Sequence, residues 1–296
     1  MSSALPGDNA MKIYEIRNKI VEVWAAARII VQRYGHTKKF AKHFVAFALK
    51  QMLHFTDNEL AEFLGKDEIG RELGYAKAPH ISTFSKVRKR SDIRIMQELT
   101  DWLVINHFKG KQISLIAQDS TDISAYAHKD KSARYGHRTP SKKEQRTLKE
   151  FTKTLFFGFK VHMIAEVNEE VPLCFSVEPA NIHDKKLFTG LFANVKEKFV
   201  LQYMAKYLAD SAYDSTDIKM ELRNSNAAQV ISTSSRGHFK SEVPKDKDYE
   251  KRWAIERIFS RLKEVFGLAK NRFVGIKNIA MHVHACILAY MIKYVL

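Results

Sequence analysis

The spacing of apolar residues changes character about a third of the way along the chain. In the first third, hydrophobic positions recur every three or four residues, the period of helices buried on one side. That spacing predicts helices over Ile13–Tyr34, Lys38–Phe55, a segment after Thr56, and Ser82–Ile105. Thr56 followed by Glu59 is a capping box ahead of Leu60-Ala-Glu-Phe-Leu64, with Gly65 as the expected stop. Two helices ending in the basic run Lys86-Val-Arg-Lys-Arg90 suit either a helix-turn-helix module or an ordinary bundle. The link from Gly65 to His80 exceeds a three- or four-residue turn, which favours the bundle.

A boundary is expected near His107-Phe-Lys-Gly-Lys-Gln112, dividing the chain into residues 1–110 and 111–296. Beyond it the pattern is mixed. Ile113–Ala117 is a short apolar strand; Leu155–Val167 and Val171–Val177 flank Asn168-Glu169-Glu170 as a hairpin. Asp184 is placed to cap a helix running to Phe199. Lys206–Ala209 and Gln229–Ser232 are further short strands, with a helix from Ser215 to Asn224 between them and another beginning near Tyr249. This order predicts an α/β layer of helices on a sheet, preceded by an all-helical domain.

Charge narrows the choice of partner. Lys plus Arg number 49 against 33 Asp plus Glu in 296 residues, a net +16. The excess clusters in residues 1–50, 129–149 and 251–296, as expected of a polyanion binder. The basic stretch Lys129–Lys149, rich in Ser and Thr, reads as a loop. Cys174 and Cys286 sit in apolar runs without metal-type pairing and read as buried thiols in a reducing compartment. The opening MSSALPGDNAMK has no signal-peptide pattern. His282, His284 and Lys293 interrupt Ile279–Leu296, so a buried helix is expected there and no membrane span. A cytoplasmic, nucleoid-associated protein is the resulting expectation.

Candidate chemistry concentrates on the late helix. At about 100° per residue from Tyr249, Arg252 falls near 300°, Lys263 near 320° and Glu256 near 340°. Ile255, Ile258, Phe259, Leu262 and Phe266 fill the adjoining sector. One edge of a packed helix thus presents an aromatic ring, a carboxylate and two cations. Trp253, beside that stripe, is expected to pack against the sheet. Asp119 and Asp210 each follow an apolar run, where short strands end and ligands collect in α/β sheets. Singly, each suits a turn or cap. Converging with Glu256, the three would repel unless a divalent cation neutralised them, and Mg²⁺ or Mn²⁺ prefers such oxygen donors.

These residues also carry a family resemblance. The chain resembles the DDE transposases of insertion sequences, within the retroviral-integrase and RNase H-like superfamily. Tyr249 to Lys263 fits their Y-x₂-R-x₃-E-x₆-K signature without a gap. Asp119-Ser-Thr121, Ala133-Arg-Tyr-Gly136, Phe157–His162, Ala180–Asp184 and Ala209–Asp214 follow in the family's order. The resemblance implies an RNase H-like catalytic domain without a large insertion, with Asp119, Asp210 and Glu256 as a catalytic triad holding two Mg²⁺ ions. It also implies that Tyr249, Arg252 and Lys263 grip double-stranded DNA at the element's ends, within at least a dimer. Lys160 and His162, alternating on one strand face, and Arg134 in the basic stretch are expected to join them. Two rival readings remain: a DNA-binding repressor that has lost catalysis, and a nuclease that cuts without joining.

Overall fold

The computed structural model describes residues 16–138, 154–233 and 242–296. Among the described residues, six α-helices come first: α1 (Arg17–Arg33), α2 (Lys42–Leu53), α3 (Asp57–Lys66), α4 (Glu68–Glu72), α5 (Ile81–Arg90) and α6 (Ile93–His107). Four strands follow, β1 (Ile113–Ser124), β2 (Arg134–Arg138), β3 (Thr154–Glu166) and β4 (Val171–Pro179). Then come α7 (Asp184–Lys198), β5 (Leu201–Ala209), α8 (Thr216–Asn224), β6 (Ala228–Ile231), α9 (Trp253–Glu264) and α10 (Ile276–Tyr294).

The chain clusters into two compact units that are not each one continuous stretch. One comprises Met1–His107, Arg261–Leu268 and Ala280–Leu296; the other comprises Phe108–Ser260 and Ala269–Ile279. A single cut near residue 110 would place the whole C-terminal helix with the sheet, whereas most of it clusters with the N-terminal helices.

In the helical unit, the capping box forms as the sequence requires. Glu59 N–H donates to Thr56 Oγ1 at 3.3 Å and Thr56 N–H donates to Glu59 Oε2 at 2.7 Å. Gly65 is not the stop: α3 runs to Lys66, and Asp67 caps the next helix through Ile69 N–H at 2.9 Å. The helix expected over Ser82–Ile105 is two helices. Ser91 breaks it by turning its hydroxyl back to Val87 O at 2.6 Å, and Asp92 restarts it by accepting from Arg94 N–H at 2.9 Å. α10 is buried, as its composition requires, and Thr100 Oγ1 lies 3.4 Å from His284 Nδ1. Burial pushes the His284 imidazole down to about 3, so it stays neutral. Among the described residues, no helix is long and apolar enough to cross a membrane.

The second unit is built on a six-stranded mixed sheet. β3 is its spine, with β1 antiparallel along one edge and β2 and β4 antiparallel, end to end, along the other. β5 pairs parallel with β1, and β6 parallel with β5. Four antiparallel strands, two of them sharing one edge, continued by two parallel ones with helices on the crossovers, form the RNase H-like arrangement that the resemblance implies.

Three expectations change here. β1 runs on to Ser124, so Asp119 lies inside a strand, paired with Met163, and not at its end. Its parallel pairing with β5 nevertheless stops at Ala117↔Leu208, which leaves that edge of Asp119 uncovered. Part of the basic stretch read as a loop is strand β2; residues 139–149 of it lie outside the described residues. Asp184 is the first residue of α7 and not its cap; His183 takes that position without a side-chain bond.

Gly158 shows how tightly the sheet is drawn together. A Cβ there would collide with the Ile123 carbonyl oxygen and stand 2.9 Å from Ala125 N and 3.0 Å from Ser124 Cα. Backbone cannot yield as a flexible side chain does. Gly158→Ala is therefore expected to cost about 2 kcal/mol, lowering the thermal midpoint by roughly 4–8 °C in a melting experiment. An unchanged midpoint would contradict the close approach.

Candidate active site

The site is assembled from three places that the sheet brings together. Asp119 projects from the middle of β1, with Oδ1 accepting from Ser120 N–H at 2.8 Å. Asp210 follows the last residue of β5, and its Oδ1 accepts from Ala212 N–H at 2.9 Å, capping the 3₁₀ turn Ser211–Tyr213. Glu256 stands one turn into α9. Arg252 lies between two of them: Nη1 donates to Asp119 Oδ2 at 3.1 Å, and Nη2 is 2.8 Å from Glu256 Oε1.

Two ion clusters hold this end of α9 in place. Lys206 on β5 grips Asp246 at 2.9 Å and Asp248 at 2.6 Å, just before the signature begins. Arg257 reaches Glu170 in the β3–β4 turn at 2.6 Å. Ala254, Ile255, Ile258 and Phe259 bury the apolar face of the helix. The continuous helix expected from Tyr249 is instead a 3₁₀ turn, Tyr249–Arg252, leading into α9 at Trp253. Trp253 does not pack on the sheet. It is 57% exposed, and its ring and that of Tyr249 each lie 6.0 Å from the Arg252 guanidinium carbon.

The electrostatics follow from burial. Burial, reinforced by the Asp210 charge and less by Glu256, pushes the Asp119 carboxyl up to about 7 against the pull of Ser120 N–H and Arg252. Burial would lower Arg252, but Asp119 and Glu256 outweigh it and raise its pKa. Three carboxylates with no sulfur or imidazole among them form an oxygen donor set suited to a hard divalent cation, and Arg252 now supplies the positive charge. Among the described residues, no three His, Cys, Asp or Glu side chains close around a single point as a metal cage.

The other sequence-selected residues divide by face. Register pairs Asp119 with Met163, Ser120 with His162, Asp122 with Lys160, and Gly158 with Arg134. Arg134, Lys160 and His162 therefore lie across the sheet from Asp119. His162 is fully buried and cannot touch DNA as the alternation suggested. Its Nδ1 lies 3.2 Å from Asp184, which Lys160 also approaches at 3.3 Å. Burial alone would raise the Asp184 carboxyl, but His162, Ser120 and Lys160 hold it well below the usual carboxylate range. Arg134 is exposed on β2, its guanidinium turned to Lys131 O at 2.7 Å and Ala133 O at 2.8 Å. Lys263 is in the last turn of α9. Sequence reasoning missed Asp184 as an anchor; two basic residues alternating on an inner strand were the signal that an acid must answer them.

A family model, the transposase DDE domain, matches residues 110–292, well over half of the chain. The chain belongs to this family. Among solved structures, this transposase is similar to a piggyBac transposase in a synaptic complex with hairpin DNA, at 9% identity and TM-score 0.43, covering 94% of this chain and 72% of that one. It is also similar to Mos1 transposase in a paired-end complex with the left transposon end, at 10% identity and TM-score 0.24, covering 82% and 80%. No curated protein matches the chain.

The raised Asp119 carboxyl sets a pH dependence. Held above its ordinary 3.8, it binds its proton more tightly in the folded chain. Its contribution to stability is full below about 4 and is lost as pH rises through about 7. Melting of the metal-free protein is expected to show that fall, and Asp119→Asn to flatten it; an equally steep profile in the variant would rule Asp119 out as its source.

Proposed function

We propose that this transposase binds the terminal inverted repeats of an insertion sequence, hydrolyses phosphodiester bonds there, and joins the freed 3′-hydroxyl to target DNA. The observation that supports the reading is Arg252 joining Asp119 to Glu256, with the Asp210 charge felt at Asp119, within the DDE domain. Asp119, Asp210 and Glu256 would hold two Mg²⁺ ions, with Mn²⁺ as a substitute. Bound there, such cations neutralise the carboxylates and polarise the phosphodiester for in-line attack.

The chain's own groups do the rest. Arg252 offers a planar fork matched to a phosphate, and Lys263 a second cation along the same helix. Tyr249, flanking Arg252, supplies a ring and hydroxyl beside that phosphate. Arg134, exposed on β2, acts from the other side of the sheet on DNA running past the site, whereas Lys160 is taken up by Asp184 and does not. The helical N-terminal region contributes binding and assembly. Acting on two ends requires at least a dimer.

Cleavage of an end-containing duplex tests this reading. With Mg²⁺, Asp119→Asn, Asp210→Asn and Glu256→Gln should each lower the rate by on the order of 10³-fold or more, while duplex affinity survives. Chelation of the metal should do the same to the wild type. Full activity in any variant removes that residue from the chemistry, and failure to join pre-cleaved ends leaves only a nuclease.

A further inference from the structure

A pocket of about 640 Å³ opens in the helical unit, outside the DDE domain, bordered by α1, the turn before α2, and the segment Leu73–Thr83 leading into α5. Arg28, Lys38, Lys39, Lys42 and Lys77 line it, and no acid does. Among the described residues, no carboxylate pairs with any of the five. Lys42 turns instead to Gly74 O at 2.8 Å and lies 4.0 Å from the Tyr75 ring centroid. Burial, helped by Lys39, lowers its pKa, which is the signature of a cation lacking a counter-charge.

Three more features point the same way. The indole Nε1 of Trp24 is buried without a hydrogen-bond partner, and a buried donor left so is costly. The Arg28 guanidinium lies 5.0 Å from that ring centroid. α2 begins at Lys42 and α5 beside His80, both on the pocket wall, and neither has an acid in its first turn. Two positive helix ends thus add to five cations. A single phosphate ion carries fewer than two charges, too few to balance that wall. A strand of phosphodiesters supplies one charge per residue at regular spacing.

We propose that this pocket is a second DNA-binding site of the transposase, where Arg28, Lys38, Lys39 and Lys77 hold backbone phosphates irrespective of base sequence. It rests on the reading that the substrate is DNA, and it names where the helical unit meets that substrate.

The test uses the full chain and fluorescence anisotropy with an end-containing duplex and a scrambled one, over a range of salt. Lys38, Lys39 and Lys77 are exposed, so the Lys38→Ala, Lys39→Ala, Lys77→Ala variant should melt like the wild type. It should bind both duplexes on the order of tenfold more weakly, with the slope of log K against log salt shallower by roughly 2.7 for three lost phosphate contacts. With Trp24 as the sole tryptophan (Trp102→Phe, Trp253→Phe), duplex should change its emission, whereas inorganic phosphate at millimolar concentration should not. An unchanged salt slope, a loss confined to the end sequence, or an emission response to inorganic phosphate alone overturns the proposal. A wild type that cuts ends while the triple variant keeps its affinity sinks only the pocket. A wild type that neither binds nor cuts any duplex sinks the transposase reading itself.

Discussion

One guanidinium shared between two acids organises the sheet unit. Asp119 lies inside a strand, where an ionised carboxylate is costly, and Arg252 is the cation that meets it. Because the same side chain also meets Glu256, the strand and the late helix are tied at the point where their acids face each other. The Lys206 and Arg257 ion pairs hold α9 on either side of that link. Removing Arg252 takes from Asp119 and Glu256 the cation they share and leaves the Asp210 charge acting on a buried Asp119.

The sheet separates two kinds of polar work. On one face stand the acids of the site, with an electrostatic deficit that invites a cation. On the other, Asp184 is more than satisfied: Lys160, His162 and Ser120 converge on it. Ser120 belongs to both, since its side chain faces Asp184 while its N–H holds Asp119 Oδ1. A well-compensated cluster thus steadies the strand position from which an uncompensated acid projects. This contrast follows from the pleat, which sends neighbours on β1 to opposite sides.

Element types were legible in the sequence wherever one physical signal was strong. The capping box at Thr56, the hairpin around Asn168-Glu169-Glu170 and the apolar face of α9 all form where the residues point. What escaped was set by contacts distant in sequence. Asp119 interrupts an apolar run and so looked like a strand end, yet antiparallel pairing with β3 carries β1 past it. Lys160 and His162 alternate as an exposed face would, but Asp184 closes over them from α7. Ser91 and Asp92 carried the local signal for a helix break, and the apolar period masked it. At the candidate site, three acids and an arginine were readable from spacing and resemblance; the pairing of Arg252 with Asp119 needed the fold.

The interleaved make-up of the two units bears on how the chain matures. The first 107 residues emerge early from the ribosome, but their compact unit also draws on Arg261–Leu268 and Ala280–Leu296. The sheet unit likewise waits for Ala269–Ile279. A nascent chain halted before residue 261 has therefore finished neither unit, although Glu256 and its sheet-side neighbours have already been made. Premature termination there yields no orphaned, self-sufficient half: the two units of this transposase are completed together.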